Sequence, residues 1–567
     1  MSEQPYSKMQ TPIEAFYTRE SQQANDLCFT QPFQDGSLKE YTWSQVASDT
    51  RRLAAYLRSL NLESGSRIAL MSSNCAYWIM ADLAIWLAGH VSVPIYPVLT
   101  GSSVRQILDH SGAQVMFAGK LDNWSDIQTG VEDSIQIVTF PIESSVPSNA
   151  GKEWNTILNE SDPIIDSPLP SLDDLATIIY TSGTTGVPKG VMHSFRNLAI
   201  VGTASGDMYS ISKNDRKLSY LPLAHVAERA AVEVNQLYYG YSVYFSCSLD
   251  TFGDDLRRAS PTLFFAVPRI WQKFQQQVLA RVPGKRLQFL LKVPIVSKRM
   301  RQKVLAGLGL DQMRVAVSGA APLSTTLIDW YGSLGIEILE GYGMSENFAF
   351  SHSTKAGQSK VGYVGTPAPG VVCKLSKDGE ILIKTPAATI GYYKEPGLTA
   401  ELFDDDGYIR TGDKGEIDDK GRLRITGRIK ELFKTSKGKY VAPAPIEDLL
   451  LQNQNIEQVC VTGANLPQPL ALITLNEQSL ASSRTPEGKK SITESLQATV
   501  QSANSVLDKH ENISCLIVAS DQWAVGNGIM TPTLKVKRAK LDEVYTPHFQ
   551  QWLSQSETVH WAAPVEW

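Results

Sequence analysis

This sequence has little with which to bind by disulfide or metal chemistry. Its six cysteines, Cys28, Cys75, Cys247, Cys373, Cys460 and Cys515, lie far apart and form no CxxC pair. That excludes a disulfide framework and a zinc site and reads as reduced thiols of a cytoplasmic protein. The eight histidines are equally scattered, so no transition-metal site is expected. No apolar run is long enough to cross a bilayer. The richest segment, Cys75 to Val98, is broken by Asp82, His90 and Pro94 and reads as a buried helix followed by a strand. The first residues, from Met1 to Tyr6, lack a basic stretch ahead of an apolar one, so no secretory leader is expected. A net charge of -5 gives no global pull toward nucleic acid or anionic membrane. Internal repeats are absent.

What is present is a long chain with strong alternation. A length of 567 residues exceeds one simple core, so two or more domains are expected. Strands are predicted at Arg67 to Met71, Gln114 to Ala118, Arg314 to Ser318 and Ile336 to Leu339. Helices are predicted at Val104 to His110 and Leu323 to Leu334. Such alternation predicts a layered α/β domain with mixed or parallel sheets. The Ser/Pro-rich stretch from Ile142 to Asp173 reads as a surface connection. After about Gly362 the segments become short and β-like, as at Glu380 to Lys384. A hairpin is expected from Glu416 to Ile425, turning at Asp419-Lys420-Gly421. From Gly427 onward a smaller α+β unit follows, with a helix near Ile446 to Gln452 and strands near Gln458 to Thr462 and Leu470 to Leu475. We expect a large multi-layer α/β domain at 1–429 and a small α+β domain at 430–567.

The most informative run is Tyr180-Thr-Ser-Gly-Thr-Thr-Gly-Val-Pro-Lys-Gly190. It follows a buried-strand pattern, Leu175 to Tyr180. Thr181, Ser182, Thr184 and Thr185 offer hydroxyls, while Gly183 and Gly186 let backbone N–H groups approach an anion closely. Lys189 adds a positive charge. It is not a Walker A loop, because Val187-Pro188 separate Gly186 from the lysine. The expected ligand is a nucleotide phosphate.

The run resembles the signature loop of the adenylate-forming superfamily, which includes acyl-CoA synthetases, luciferases and nonribosomal adenylation domains. Further segments are similar to that family in the same order. Glu340-Gly-Tyr-Gly-Met-Ser-Glu346 resembles the element that packs an aromatic on adenine and binds magnesium. The resemblance implies that Tyr342, flanked by Gly341 and Gly343, stacks, that Ser345 contacts phosphate, and that Glu346 ligates Mg2+ with the Thr181 hydroxyl. Ser318-Gly-Ala-Ala-Pro322 implies that Gly319 and Ala320 flank adenine. Tyr408-Ile-Arg-Thr-Gly-Asp413 implies Asp413 on the ribose hydroxyls. Arg428-Ile-Lys-Glu-Leu-Phe-Lys434 resembles the hinge, with Arg428 near the ribose, Lys430 at the pivot, and Lys434 among the binding positions. Thr531-Pro-Thr-Leu-Lys-Val-Lys-Arg538 resembles the catalytic-lysine motif and points to Lys535. Leu221-Pro-Leu-Ala-His-Val226 resembles the border of the acyl pocket, with His225 facing it, and Gly438 would line a pantetheine tunnel.

The segments near Lys434 and Lys535 resemble the long-chain fatty acyl-CoA synthetases, although Tyr440 stands where a gating Trp occurs in that branch. The implied substrates are ATP, a fatty acid or other carboxylic acid, and coenzyme A, with Mg2+ as cofactor. A ligase using a carrier protein or amine as acceptor, a CoA ligase for an aryl or medium-chain acid, and an inactive scaffolding relative remain the alternatives. Finally, Arg281 to Leu305 holds eight basic residues and no acid. Leu287, Phe289, Leu290, Leu291, Val293 and Ile295 interleave with them. That pattern suits either peripheral contact with a membrane's inner face or a solvated basic surface.

Overall fold

The helix Ala76–Leu87 is buried at all twelve positions. It lies against strands Arg67–Met71 and Val91–Ile95 and beneath helix Trp43–Ser59. This is the buried helix and strand read from Cys75 to Val98, and it explains why no polar face was visible in the sequence. The computed structural model describes residues 9–182, 188–321, 323–531, 535–555 and 557–563.

Six sheets organise the described residues. The largest has eight strands, in the order Gly391–Tyr392, Pro188–Ser194, Leu175–Ser182, Val91–Ile95, Arg67–Met71, Val115–Ala118, Gln136–Thr139 and Lys152–Glu153. Its last six strands run parallel. Pro188–Ser194 pairs antiparallel with both neighbours. A second sheet starts with the parallel strands Leu263–Ala266, Val315–Ser318 and Ile338–Tyr342. Two others are four-stranded. One joins Arg216–Ser219, Ser242–Phe245, Leu27–Pro32 and Leu38–Thr42, and the other is antiparallel and ends in the hairpin Ile409–Ile417 and Leu423–Arg428. Beyond residue 430 stand the pair Phe433–Lys434 and Tyr440–Val441 and a four-stranded sheet from Ile456–Thr462 to Val559–Trp561, with helix Pro486–Asn504 among its helices. The fold is mixed α/β, with a large N-terminal and a smaller C-terminal domain.

One expectation fails. The stretch from Ile142 to Asp173 is not only a surface connection: Lys152–Glu153 forms the edge strand of the eight-stranded sheet, and Trp154–Glu160 is a helix. Trp154 is buried among Tyr77, Phe117 and Phe140, with ring centroids 5.3–6.4 Å away. Two apolar anchors, Trp154 and Ile157, decide the matter, and the polar residues around them conceal the period. Residues 161–174 carry no regular element. They run along helix Trp43–Ser59, tied by Arg52 to the Ser161 carbonyl and by Arg58 to Asp166.

An enclosed charge cluster fixes the junction of three elements. Arg229 opens the wide π-type turn Arg229–Val234 and is fully buried. Its guanidinium pairs with Asp82 of the buried helix and with Glu233 at 2.9 Å, and donates to the Thr177 hydroxyl at 2.6 Å. The Trp78 and Trp86 rings flank it at 5.5 and 5.3 Å. Burial, with the Asp82 charge added, pushes the Glu233 carboxyl well up, so one proton on the carboxylate pair leaves the cluster near neutrality. Arg229→Met should lower unfolding stability by about 3–5 kcal/mol, because two carboxyls are then left buried without a cation. Adding Asp82→Asn and Glu233→Gln should recover much of the loss, read from urea midpoints.

Candidate active site

The strands on either side of the Gly183 to Val187 run pair with each other. Leu175–Ser182 and Pro188–Ser194 pair antiparallel, with Thr181 opposite Lys189 and the Ser182 backbone opposite Pro188. Gly183, Thr184, Thr185 and Gly186 lie outside the described residues. Gly190 faces Tyr180, where a Cβ would meet Ile178 at 2.7 Å and the Tyr180 ring at 3.2 Å, so the hairpin can close only around glycine.

A second element approaches the hairpin from 150 residues away in sequence. Strand Ile338–Tyr342 runs into the tight turn Ser345–Asn347. A Cβ on Gly343 would come within 2.4 Å of the Ala349 backbone, which explains the glycine there; Gly341 meets no such obstacle. Three links bind this turn to the hairpin and its neighbour strand. His193, buried on the hairpin, donates from Nε2 to the Ser345 carbonyl at 2.7 Å. The Thr389 amide donates to the Glu346 carbonyl at 2.7 Å, and the Tyr392 hydroxyl donates to Glu346 Oε1 at 2.8 Å. Neither His193 nor Tyr392 is singled out by sequence reasoning, since nothing local marks them.

Asp413, Arg428 and Tyr342 converge as a triad. Asp413 and Arg428 are cross-strand partners in the hairpin Ile409–Ile417 and Leu423–Arg428. Arg428 Nε lies 3.0 Å from Asp413 Oδ1, and the Tyr342 hydroxyl donates to Oδ2 at 2.6 Å. Tyr342 is thus held at its phenol tip, and its ring lies 6.2 Å from that of His352. Gly319 and Ala320 follow strand Val315–Ser318. A Cβ on Gly319 would approach the Gly341 carbonyl at 3.1 Å, and Ala320 adopts φ +68° at the strand's end.

Lys535 completes the group from the C-terminal domain. Its loop is closed by Thr531 N to Lys535 O at 2.8 Å, by Lys535 N to Thr531 Oγ1 at 3.0 Å, and by the Met530 and Val536 bridge. The residue is exposed to solvent, yet protein crowds close around it. That enclosure, and then the Arg428 charge, lower its pKa, while Asp413 and Glu431 pull it back up. Arg538, three residues on, anchors the loop by pairing with Glu447 at 2.8 Å and donating to the Val461 carbonyl. A further ion pair, Arg269 with Glu457, crosses between the two domains. Burial also pushes Glu340 and Asp448 up to about 7. Glu340 and Arg538 fall in motifs quoted from the sequence but receive no role there, and Arg269, Glu457 and Asp448 carry no local signal.

Asn74 holds the loop before His225 by donating to the Leu221 carbonyl at 2.5 Å and accepting from the Leu223 amide at 3.1 Å. His225 Nδ1 accepts from the Ala227 amide at 3.2 Å, which places the proton on Nε2. Part of the residue is exposed. Enclosure of the rest, with the Lys535 charge added, pushes it down to about 4. Lys430 and Gly438 lie apart from this convergence. Lys430 is exposed in the turn Ile429–Glu431, and Gly438 takes φ +74° in the turn before Tyr440. Lys434 lies over the Tyr440 ring at 4.8 Å.

No trio of His, Cys, Asp or Glu side chains that could hold a metal ion occurs among the described residues. Glu346 stands as a lone carboxylate whose Oε2 accepts no hydrogen bond among them. Mg2+ commonly binds through one or two carboxylates, several waters and substrate phosphates, and this donor set fits that mode.

Since the folded pKa of His225 lies below the ordinary 6.5, the unfolded chain takes up its proton first. Its contribution to stability should therefore be full above about pH 6.5 and decline as pH falls toward about 4. Urea midpoints of wild type and His225→Gln, compared across pH 4 to 8, should differ by a constant above pH 6.5. Wild type should lose ground below it.

Known proteins share both sequence and fold with this chain. The AMP-binding enzyme family matches residues 16–393, and the AMP-binding enzyme C-terminal domain matches 431–556. The chain is 31% identical to the long-chain-fatty-acid–CoA ligase FadD15 of Mycobacterium bovis, over 92% of this chain and 93% of that protein. It is 29% identical to long-chain-fatty-acid–CoA ligase 6 of Rattus norvegicus, over 97% and 88%. The AMP complex of the A-PCP didomain of carboxylic acid reductase from Segniliparus rugosus superposes with a TM-score of 0.79 at 22% identity, covering 98% of this chain and 83% of that one. With both family domains matched in order, the chain belongs to the AMP-binding enzymes of the adenylate-forming superfamily, in their long-chain acyl-CoA synthetase branch.

Proposed function

We propose that this protein is an ATP-dependent fatty acid–CoA ligase. It forms an acyl adenylate with release of pyrophosphate and then passes the acyl group to the CoA thiol. The observation that carries the reading is the convergence of Lys535 with His225, Arg428 and Asp413. Groups assigned to acyl chain, ribose and phosphate meet there from separate elements and both domains. The relatives' names support a long aliphatic acid and CoA as acceptor.

A carboxylic acid has a pKa of about 4–5 and is ionised at neutral pH, so the first step needs no general base. The obstacle is bringing one anion to the α-phosphorus of another. Lys535 bridges the substrate carboxylate and an α-phosphate oxygen, its charged form favoured by Asp413 and Glu431. His225, neutral with its proton on Nε2, is suited to donate to a substrate oxygen. Asp413 accepts from the ribose hydroxyls, with Arg428 and Tyr342 fixing its orientation. Thr181, Ser182, Gly183, Thr184, Thr185, Gly186, Lys189 and Ser345 cradle the phosphates. Gly319, Ala320, Gly341 and Gly343 shape the adenine slot beside Tyr342. Glu346 and Thr181 would hold Mg2+, which when bound would supply charge neutralisation for the pyrophosphate. In the second step the thiol sulfur attacks the acyl carbonyl, the C–S bond forms, and AMP departs with the electrons of the broken C–O bond. We take residues 430–567 to turn about Lys430 between the steps, withdrawing Lys535 and bringing Lys434 and Gly438 to CoA.

We place the enzyme in the cytoplasm, touching the membrane's inner face through residues 281–305. That segment comprises the end of helix Pro268–Arg281 and helices Gly284–Lys292 and Pro294–Leu308. Leu287 is buried, whereas Phe289 is 68% exposed amid Lys285, Arg286 and Lys292. No helix among the described residues is long and apolar enough to cross a membrane.

Lys535→Ala should abolish acid-dependent pyrophosphate release while leaving thioester formation from supplied acyl-AMP. Equal loss of both half-reactions would contradict the assignment. Across fatty, aryl and short acids, turnover should be greatest with long chains and should require CoA; turnover with a carrier protein alone would point to another acceptor. The variant Lys285→Glu/Arg286→Glu/Lys292→Glu should float less with phosphatidylglycerol vesicles than wild type. Unchanged flotation would remove this surface from membrane contact.

A further inference from the structure

Tyr392 touches two residues that the site needs and that lie 157 positions apart in sequence. Its hydroxyl donates to Glu346 Oε1 at 2.8 Å, and its ring lies under the Lys189 ammonium at 5.3 Å from the centroid. Burial, and the Glu346 charge beside it, push the phenol's pKa up, so the hydroxyl stays a donor at neutral pH.

The backbone that delivers Tyr392 is closely determined. Gly391 and Tyr392 pair antiparallel with Met192 and Val191 of the phosphate hairpin. Thr389 donates its hydroxyl to the Met192 carbonyl at 2.6 Å, and its Oγ1 accepts from the Gly391 amide at 3.1 Å. The Tyr392 amide donates to the Thr399 hydroxyl at 2.9 Å. Gly391 adopts φ +139°, and a Cβ there would lie 2.5 Å from the Thr399 side chain, so only glycine admits this course. The Tyr393 amide donates to the Gly190 carbonyl at 2.8 Å. A short strand stitched at this many points is a rigid mount, and Tyr392 is its only side chain bonded to the Glu346 carboxylate among the described residues.

Two consequences follow from chemistry alone. A carboxylate that accepts at one oxygen is fixed in rotation and presents the other, here Oε2, to a cation. Hydrogen bonds of this kind onto metal ligands commonly alter metal affinity by about 10–100-fold. An ammonium seated on an aromatic face is restrained without having its charge neutralised by a counter-ion, and so stays available to phosphate. We propose that Tyr392 is a positioning residue for the adenylation step, orienting Glu346 toward the cation of the nucleotide through its hydroxyl and seating Lys189 through its ring. This rests on the reading of Glu346 and Lys189 given under Proposed function.

The two contacts separate by substitution. Tyr392→Phe removes the hydroxyl and keeps the ring, whereas Tyr392→Leu removes both. For Tyr392→Phe we expect the half-saturating Mg2+ for acid-dependent pyrophosphate release to rise about tenfold. The KM for ATP at saturating Mg2+ and the rate of thioester formation from supplied acyl-AMP should stay at wild-type values. For Tyr392→Leu the ATP KM should rise as well, by about threefold. A readout independent of turnover is Mn2+ binding to the enzyme with a non-hydrolysable ATP analogue, followed by electron paramagnetic resonance; affinity should fall in Tyr392→Phe. Wild-type Mn2+ affinity in Tyr392→Phe, or a uniform loss of both half-reactions with lowered Tm, would overturn the proposal. Glu346→Gln locates the fault: if it weakens Mn2+ binding while Tyr392→Phe does not, the positioning role alone fails. If Glu346→Gln also binds Mn2+ normally, the metal reading of Glu346 fails and takes this inference with it.

Discussion

A guanidinium sealed from water determines how the N-terminal domain can be assembled. Arg229 must find its anionic partners, and those partners come from the helix below the large sheet, from its own turn, and from a hydroxyl on the strand that leads to the phosphate loop. An unpaired charge at that depth is costly, so the three elements are acceptable only together. The turn that starts at Arg229 follows the short helix Val226–Glu228, which His225 caps, and the Arg229 amide donates to the His225 carbonyl. The backbone at His225 is therefore tied to the buried cluster through Arg229.

The same economy of parts recurs around the nucleotide. Residues assigned to phosphate, metal and ribose do not contact one another through a single cluster. They are joined by intermediaries: His193 to Ser345, Tyr392 to Glu346, and Tyr342 to Asp413. Each intermediary is neutral. Burial holds His193 down to about 4 and raises the two phenols, so these links persist across the neutral pH range.

How much of this was legible depends on whether information was local. The run around Gly183 and Gly186, the Glu340 to Glu346 segment, Asp413, Arg428 and Lys535 each sit in a contiguous motif whose residue types carry their own chemical logic. The alternation of strands and helices was equally local, and the fold class followed. Tyr392, His193, Arg538 and the pair of Arg269 with Glu457 were not legible, because each is an ordinary residue in its own neighbourhood. Their meaning comes from strand order and domain docking, which pair positions such as 346 and 392 or 269 and 457. The helix Trp154–Glu160 escaped for another reason: two apolar anchors among polar residues give no period to detect.

The loop bearing Lys535 is closed upon itself by backbone links on both flanks, and Arg538 rivets its outgoing end to Glu447 and the Val461 carbonyl. Local fraying therefore cannot draw the ammonium away by itself. Its position relative to His225 and Asp413 therefore follows the placement of the C-terminal domain, since Glu447 and Val461, which hold the outgoing end, belong to that domain. Under the turn proposed for residues 430–567, the cation would arrive and leave with the whole domain, as a clutch engages and releases.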